Sequence, residues 1–137
     1  MKILVGGNHD FYAAEYPDKF REIIPEGVIY LCESRITING INIWGSPYHP
    51  DMVGWAFGEK RGKAMKEHWN LIPIDVDILI THTPPFGILD KSRSGKSIGC
   101  EELRTKLDDL QINYHLFGYV HASYGRKTIG ACETINA

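Results

Sequence analysis

The chain has 137 residues, of which 43% are hydrophobic and 23% charged, with a formal net charge of -2. That is enough for a single domain spanning residues 1–137 with a sizeable buried core, and the near-neutral balance excludes capture of nucleic acid through its phosphates. Cys32, Cys100 and Cys132 are odd in number and far apart, so reduced thiols in a cytoplasmic setting are expected rather than a disulfide framework or a cysteine zinc site. No stretch reads as a signal peptide or a membrane span.

Lys2-Ile3-Leu4-Val5 is a short apolar run that predicts a strand. Gly6-Gly7 breaks it, and Asn8, His9 and Asp10 follow at once. Open α/β sheets build their sites where strands end. Asn offers a neutral oxygen, His a nitrogen ligand or a proton, and Asp an acceptor that orients a His. The same residues also dominate ordinary turns, so these four alone allow either a site or a turn.

Pro17, Phe20, Ile23 and Ile24 predict a short amphipathic helix stopped by Pro25 and Gly27. Val28 to Cys32 reads as a strand buried on both faces. Arg35–Ile38 and Ile41–Trp44 alternate around Asn39-Gly40, a strong hairpin signal because Asn-Gly supplies the positive φ angles of a tight turn. The loop Gly45-Ser46-Pro47-Tyr48-His49-Pro50 follows. Residues 58–69 are helical in character, with Ala64, Met65, His68 and Trp69 on one face and charges on the other.

Asp77 to Thr81 repeats the opening logic: an apolar strand runs into His82 and is stopped by Pro84-Pro85. Residues 88–98 form a polar loop with Lys91, Arg93 and Lys96. Ser94-Gly95-Lys96-Ser97 is not a P-loop, because the first glycine that motif requires falls on Asp90. The basic residues fit a solvated loop or a phosphate contact. Residues 99–110 predict a helix with Glu101 and Glu102 in its first turn and Leu103, Leu107 and Leu110 as an apolar stripe. Tyr114–Gly118 predicts a strand that delivers Tyr119 and His121, which share a side if the chain stays extended. Lys127–Ile129 and Cys132–Ile135 read as a final strand pair. Strand ends thus present Asn8-His9, His82 and His121, a set of donors that suits Mn, Fe, Zn or Ni better than Ca. His49, His68 and His115 are left outside this site.

With these strand ends in view, the chain resembles the calcineurin-like metallophosphoesterases, and within them the metallophosphoesterase domain-containing proteins and their bacterial relatives. Gly7-Asn8-His9-Asp10, Thr81-His82-Thr83-Pro84-Pro85 and Gly118-Tyr119-Val120-His121 match the third, fourth and last motifs of that superfamily. Ile43-Trp44-Gly45-Ser46-Pro47, Trp69-Asn70-Leu71-Ile72-Pro73, Gly99-Cys100-Glu101-Glu102-Leu103 and Tyr124-Gly125 look like the same group. The resemblance implies an α/β/β/α sandwich with a two-metal centre that hydrolyses phosphodiesters, nucleotide-like ones among them. Carried over by motif, Asn8 and His82 would ligate one divalent metal and His121 the other. His9 would act on the transition state or the leaving oxygen, with Asp10 supporting His9. The D-x-H and G-D motifs of the family's first two strands have no counterpart before Gly7, and Tyr119 stands where the family has a ligand His. Weak or absent activity of this chain alone is therefore expected. Pairing of the Lys2–Val5 edge with a complementing N-terminal segment or a second copy is expected too. The alternative is a non-catalytic module that binds metal, phosphate or a nucleotide.

Overall fold

The computed structural model describes residues 1–50 and 54–137. Strand β1 (Lys2–Val5) leads into two short helices, α1 (Phe11–Glu15) and α2 (Pro17–Glu22), and then β2 (Val28–Leu31). β1 and β2 pair in parallel, Ile3 opposite Ile29. β3 (Ser34–Ile38) and β4 (Ile41–Ser46) form the expected hairpin, with Asn39 and Gly40 at φ 50° and 82° in its turn. Two-residue strands β5 (His49–Pro50) and β6 (Gly58–Glu59) pair across the next loop. Then follow α3 (Lys63–Asn70), β7 (Ile78–Thr81), α4 (Glu101–Asp108), β8 (Tyr114–Phe117), β9 (Gly125–Ile129) and β10 (Cys132–Asn136).

These strands form a two-stranded sheet, β1-β2, and a six-stranded one in the order β3-β4-β7-β8-β10-β9. β4, β7 and β8 run parallel, and a parallel pair needs a crossover, which α3 and α4 supply. Side chains alternate across a strand, so β4 divides its residues between two layers. Trp44 joins Met65, Trp69, Leu79 and Leu103 in the core beneath α3 and α4. Gly45 faces the other way, where an added β-carbon would lie 2.7 Å from Leu31 Cβ and 2.8 Å from Val5 Cγ2. The small sheet packs on the large one at that glycine. On its outer side Phe20 of α2 lies edge-on to Tyr30, ring centroids 4.9 Å apart. The layers are therefore helix, sheet, sheet, helix, as expected.

Some boundaries differ from the sequence reading. The helix expected over residues 58–69 begins only at Lys63, because Gly58 and Glu59 are taken by pairing with His49 and Pro50. Helix α1 carries no clear amphipathic period, so the sequence does not predict it. β2 is half-buried until Leu31, because among the described residues its sheet has two strands, β1 and β2. All three cysteines are free, and no helix of the described residues is long and apolar enough to cross a membrane.

Candidate metal and catalytic site

The parallel register sets Ser46, Thr81 and Phe117 side by side, so the segments after β4, β7 and β8 leave the sheet at the same end. The backbone ladder runs one residue further there: His82 N–H donates to Ser46 O at 3.0 Å, and Gly118 N–H to His82 O at 3.2 Å. β1 ends beside them, since Val5 abuts Gly45.

Asn8 and His82, 74 residues apart in the chain, meet at this end. The Asn8 amide donates to His82 Nε2 at 3.2 Å, and Asn8 Oδ1 lies 2.9 Å from the same nitrogen. Gly7 makes the approach possible: a β-carbon there would lie 2.5–2.9 Å from three atoms of the imidazole. Burial, then the neighbouring His49, His9 and His121, lower the His82 pKa from 6.5 to about 4. The ring is neutral at pH 7, the state in which imidazole binds a metal.

Asp10 Oδ2 accepts the Gly7 amide at 2.6 Å. Its carboxylate braces the turn that carries His9 rather than bonding to the imidazole. His9 is exposed and meets Trp55 edge-on, 4.9 Å between ring centroids. His121 is exposed and opens a short 3-10 turn, His121–Ser123. Tyr119 sits at φ 68°, so the chain is not extended from 119 to 121. The expectation of a shared side fails because the backbone turns into the left-handed region.

The sequence reading leaves His49 out of the site, and the structure sets it beside His82. It is fully buried, and its ring lies 5.7 Å from that of His82 and 5.3 Å from that of Tyr119, while Tyr119 is 5.1 Å from His82. Its Nε2–H donates to Ala56 O at 3.0 Å, and burial lowers its pKa. The available signal was its place just past the end of β4. The other two excluded histidines lie outside the site. His68 stacks on Tyr48 and bonds Glu33 at 2.6 Å. His115 is buried against Thr81 Oγ1 at 2.8 Å.

A family model for calcineurin-like phosphoesterases matches residues 1–123. The chain belongs to that family. Human metallophosphoesterase domain-containing protein 1 is 38% identical over 160 residues, an alignment that takes in 99% of this chain and 49% of the human protein. UPF0046 protein T07D4.2 of Caenorhabditis elegans is 43% identical over 109 residues, 79% of this chain and 28% of the worm protein. The chain thus spans about half or less of the length of these curated relatives. The crystal structure of TT1561 of Thermus thermophilus superposes with a TM-score of 0.59 at 18% identity, over 98% of this chain and 61% of that one, a likeness in fold.

This family uses divalent metals. Asn8 and His82 fit such an ion in kind, an amide oxygen and a neutral imidazole nitrogen 2.9 Å apart. They do not fit it in number. No group of three or more His, Cys, Asp or Glu side chains among the described residues is gathered to hold a metal, and protein sites usually supply three or four ligands.

Proposed function

We propose that this chain carries the Asn8–His82 half of a metal-dependent phosphodiesterase centre, with His121 belonging to its second metal position and His9 acting as proton donor to the leaving oxygen. The observation that carries the reading is the convergence of Asn8 and His82 on one nitrogen edge from two separate strand ends. His9 suits its role because it is exposed at the rim and set by a turn that Asp10 braces. Substrates of this reading are phosphate esters, including nucleotide-like ones. The missing ligands would enter on a strand paired along the edge of β1. Among the described residues β1 has β2 as its one strand partner, and an unpaired edge is a ready template for another strand. Either a complementing segment or a second copy would fill it.

The test is Mn²⁺-dependent hydrolysis of bis(4-nitrophenyl) phosphate, with His9→Ala run alongside. Wild type should turn over weakly above the metal blank. His9→Ala should lose on the order of a hundredfold, the usual contribution of a placed acid. Silence of both proteins in excess metal would remove catalysis from this chain and favour the second reading, a module that binds metal or phosphate without turnover. Tyr119 in the position of a ligand and the two-donor set support that alternative.

A further inference from the structure

The polar stretch that resembles a failed P-loop is a built element. Asp90 is 1% exposed, and its carboxylate accepts the amides of Gly87 at 2.9 Å and Gly99 at 3.2 Å and the Ser97 hydroxyl at 3.3 Å. Over this buried anchor the chain folds into a small hairpin. Lys91 and Ser97 bridge antiparallel, Ile98 N–H donates to Asp90 O at 3.1 Å, and Ser92 N–H donates to Lys96 O at 2.9 Å. The hairpin is tied to the strand-end site from two directions. Ser123 Oγ, in the turn that begins at His121, donates to Lys91 O at 2.8 Å. Buried Asn136 donates to Leu89 O at 3.1 Å and to Val120 O, next to Tyr119, at 2.9 Å. The backbone that carries Lys91 and Lys96 is therefore fixed relative to Tyr119, and both side chains are exposed from it.

Between hairpin and site lies a cleft of about 750 Å³, lined by Phe86, Lys91, Lys96, Arg61, Glu101 and Tyr119 among others. A volume of that order takes a small molecule. Arg61 and Glu101 form an ion pair, and Arg61 also donates to Gly99 O at 2.8 Å. Among the described residues that line the cleft, Arg61 and Glu101 offset each other, and Lys91 and Lys96 carry the remaining formal charge. Tyr119 is the wall shared with the strand-end site, 5.1 Å from the His82 ring, and Phe86 adds a half-exposed aromatic surface.

We propose that this cleft holds the alcohol portion of the ester, and that the preferred ester carries on that portion an aromatic ring and a second anionic group received by Lys91 and Lys96. The proposal rests on reading the Asn8–His82 end as a phosphate-ester site. A fixed backbone spares part of the ordering cost of bringing two ammonium groups to one anion, and hydrogen bonds to charged groups are the stronger ones.

Two non-hydrolysable probes separate the ideas: phenylphosphonate, and 4-phosphonobenzoate, which differs from it by one carboxylate. Each is titrated calorimetrically in Mn²⁺ buffer into wild type, Lys91→Ala/Lys96→Ala and the charge-keeping Lys91→Arg/Lys96→Arg. Wild type should bind 4-phosphonobenzoate about tenfold more tightly than phenylphosphonate. The alanine pair should lose that preference with phenylphosphonate affinity unchanged, and the arginine pair should keep most of it. Equal binding of both probes by wild type, or a preference that survives the alanine pair, overturns the cleft assignment and leaves the phosphate-ester reading standing. Binding of 4-phosphonobenzoate alone, abolished by the alanine pair, would show an anion site at the lysines with no phosphate site at Asn8–His82, and overturns both the ester reading and the cleft's part in it. Failure of both probes to bind overturns both.

Discussion

The imidazole of His82 rests on the backbone of Gly7, with room for no side chain between them: a β-carbon on Gly7 would come within 2.5 Å of the ring. Two strand ends far apart in sequence are thereby brought to the distance at which Asn8 Oδ1 and His82 Nε2 share a space. Close approach of backbone to side chain is a use of glycine that needs no special φ.

Gly7→Ala should therefore damage the site and the fold together. Overpacking of this kind costs about 1–3 kcal/mol, and the ring can yield only by leaving Asn8. Urea unfolding should show a lower midpoint. In two-dimensional NMR of the imidazoles, the His82 signal should shift while His115, elsewhere in the core, stays in place. An unchanged His82 signal would mean that the ring and the glycine are not in close contact.

Acid should destabilise the protein before its carboxylates titrate. His115 is fully buried, and burial alone lowers its pKa from 6.5 to about 3. The unfolded chain takes up a proton below pH 6.5 that the native state refuses. Stability is thus whole above pH 6.5 and falls as the pH drops toward 3, by at most about 1.4 kcal/mol per pH unit for this one group. His82, lowered to about 4 by burial and its histidine neighbours, adds a slope of the same sign down to that pH. Denaturant curves between pH 7.5 and 5 should show the decline, and His115→Leu should flatten it.

Asp90→Ala should loosen the lysine hairpin. It removes an acceptor that serves Gly87, Gly99 and Ser97 from a buried position, where each bond to a charged group contributes about 1.5–3 kcal/mol. Hydrogen exchange at the Gly87 and Gly99 amides should accelerate strongly, with the β4–β7–β8 ladder far less affected. Protection retained at both amides would show that the backbone hairpin alone holds the loop.

Strand ends were legible because their signals are local: an apolar run, then Gly or Pro, then polar side chains. Asn39-Gly40 likewise announced its turn because φ of 50° and 82° suits few other residue pairs. Helix α1 went unseen, since residues 11–15 lack an apolar period. β5 and β6 were invisible because each exists only through the other. The polar loop over residues 88–98 gave no hint of its order, because the anchor is a single buried Asp90 whose partners span the whole segment.

By itself the sequence determined the family and the chemistry on offer, since Gly7-Asn8-His9-Asp10, His82 and Gly118-Tyr119-Val120-His121 are each short motifs read within one stretch of chain. The tertiary structure decided which of these side chains meet. It joined Asn8 to His82 through sheet packing at Gly45. It drew His49 into the site from a loop fixed by β5, and it turned the chain at Tyr119, leaving His121 exposed at the rim. Motifs specify donors locally, whereas the distances between donors depend on parallel register and on which side chains a sheet interface leaves room for.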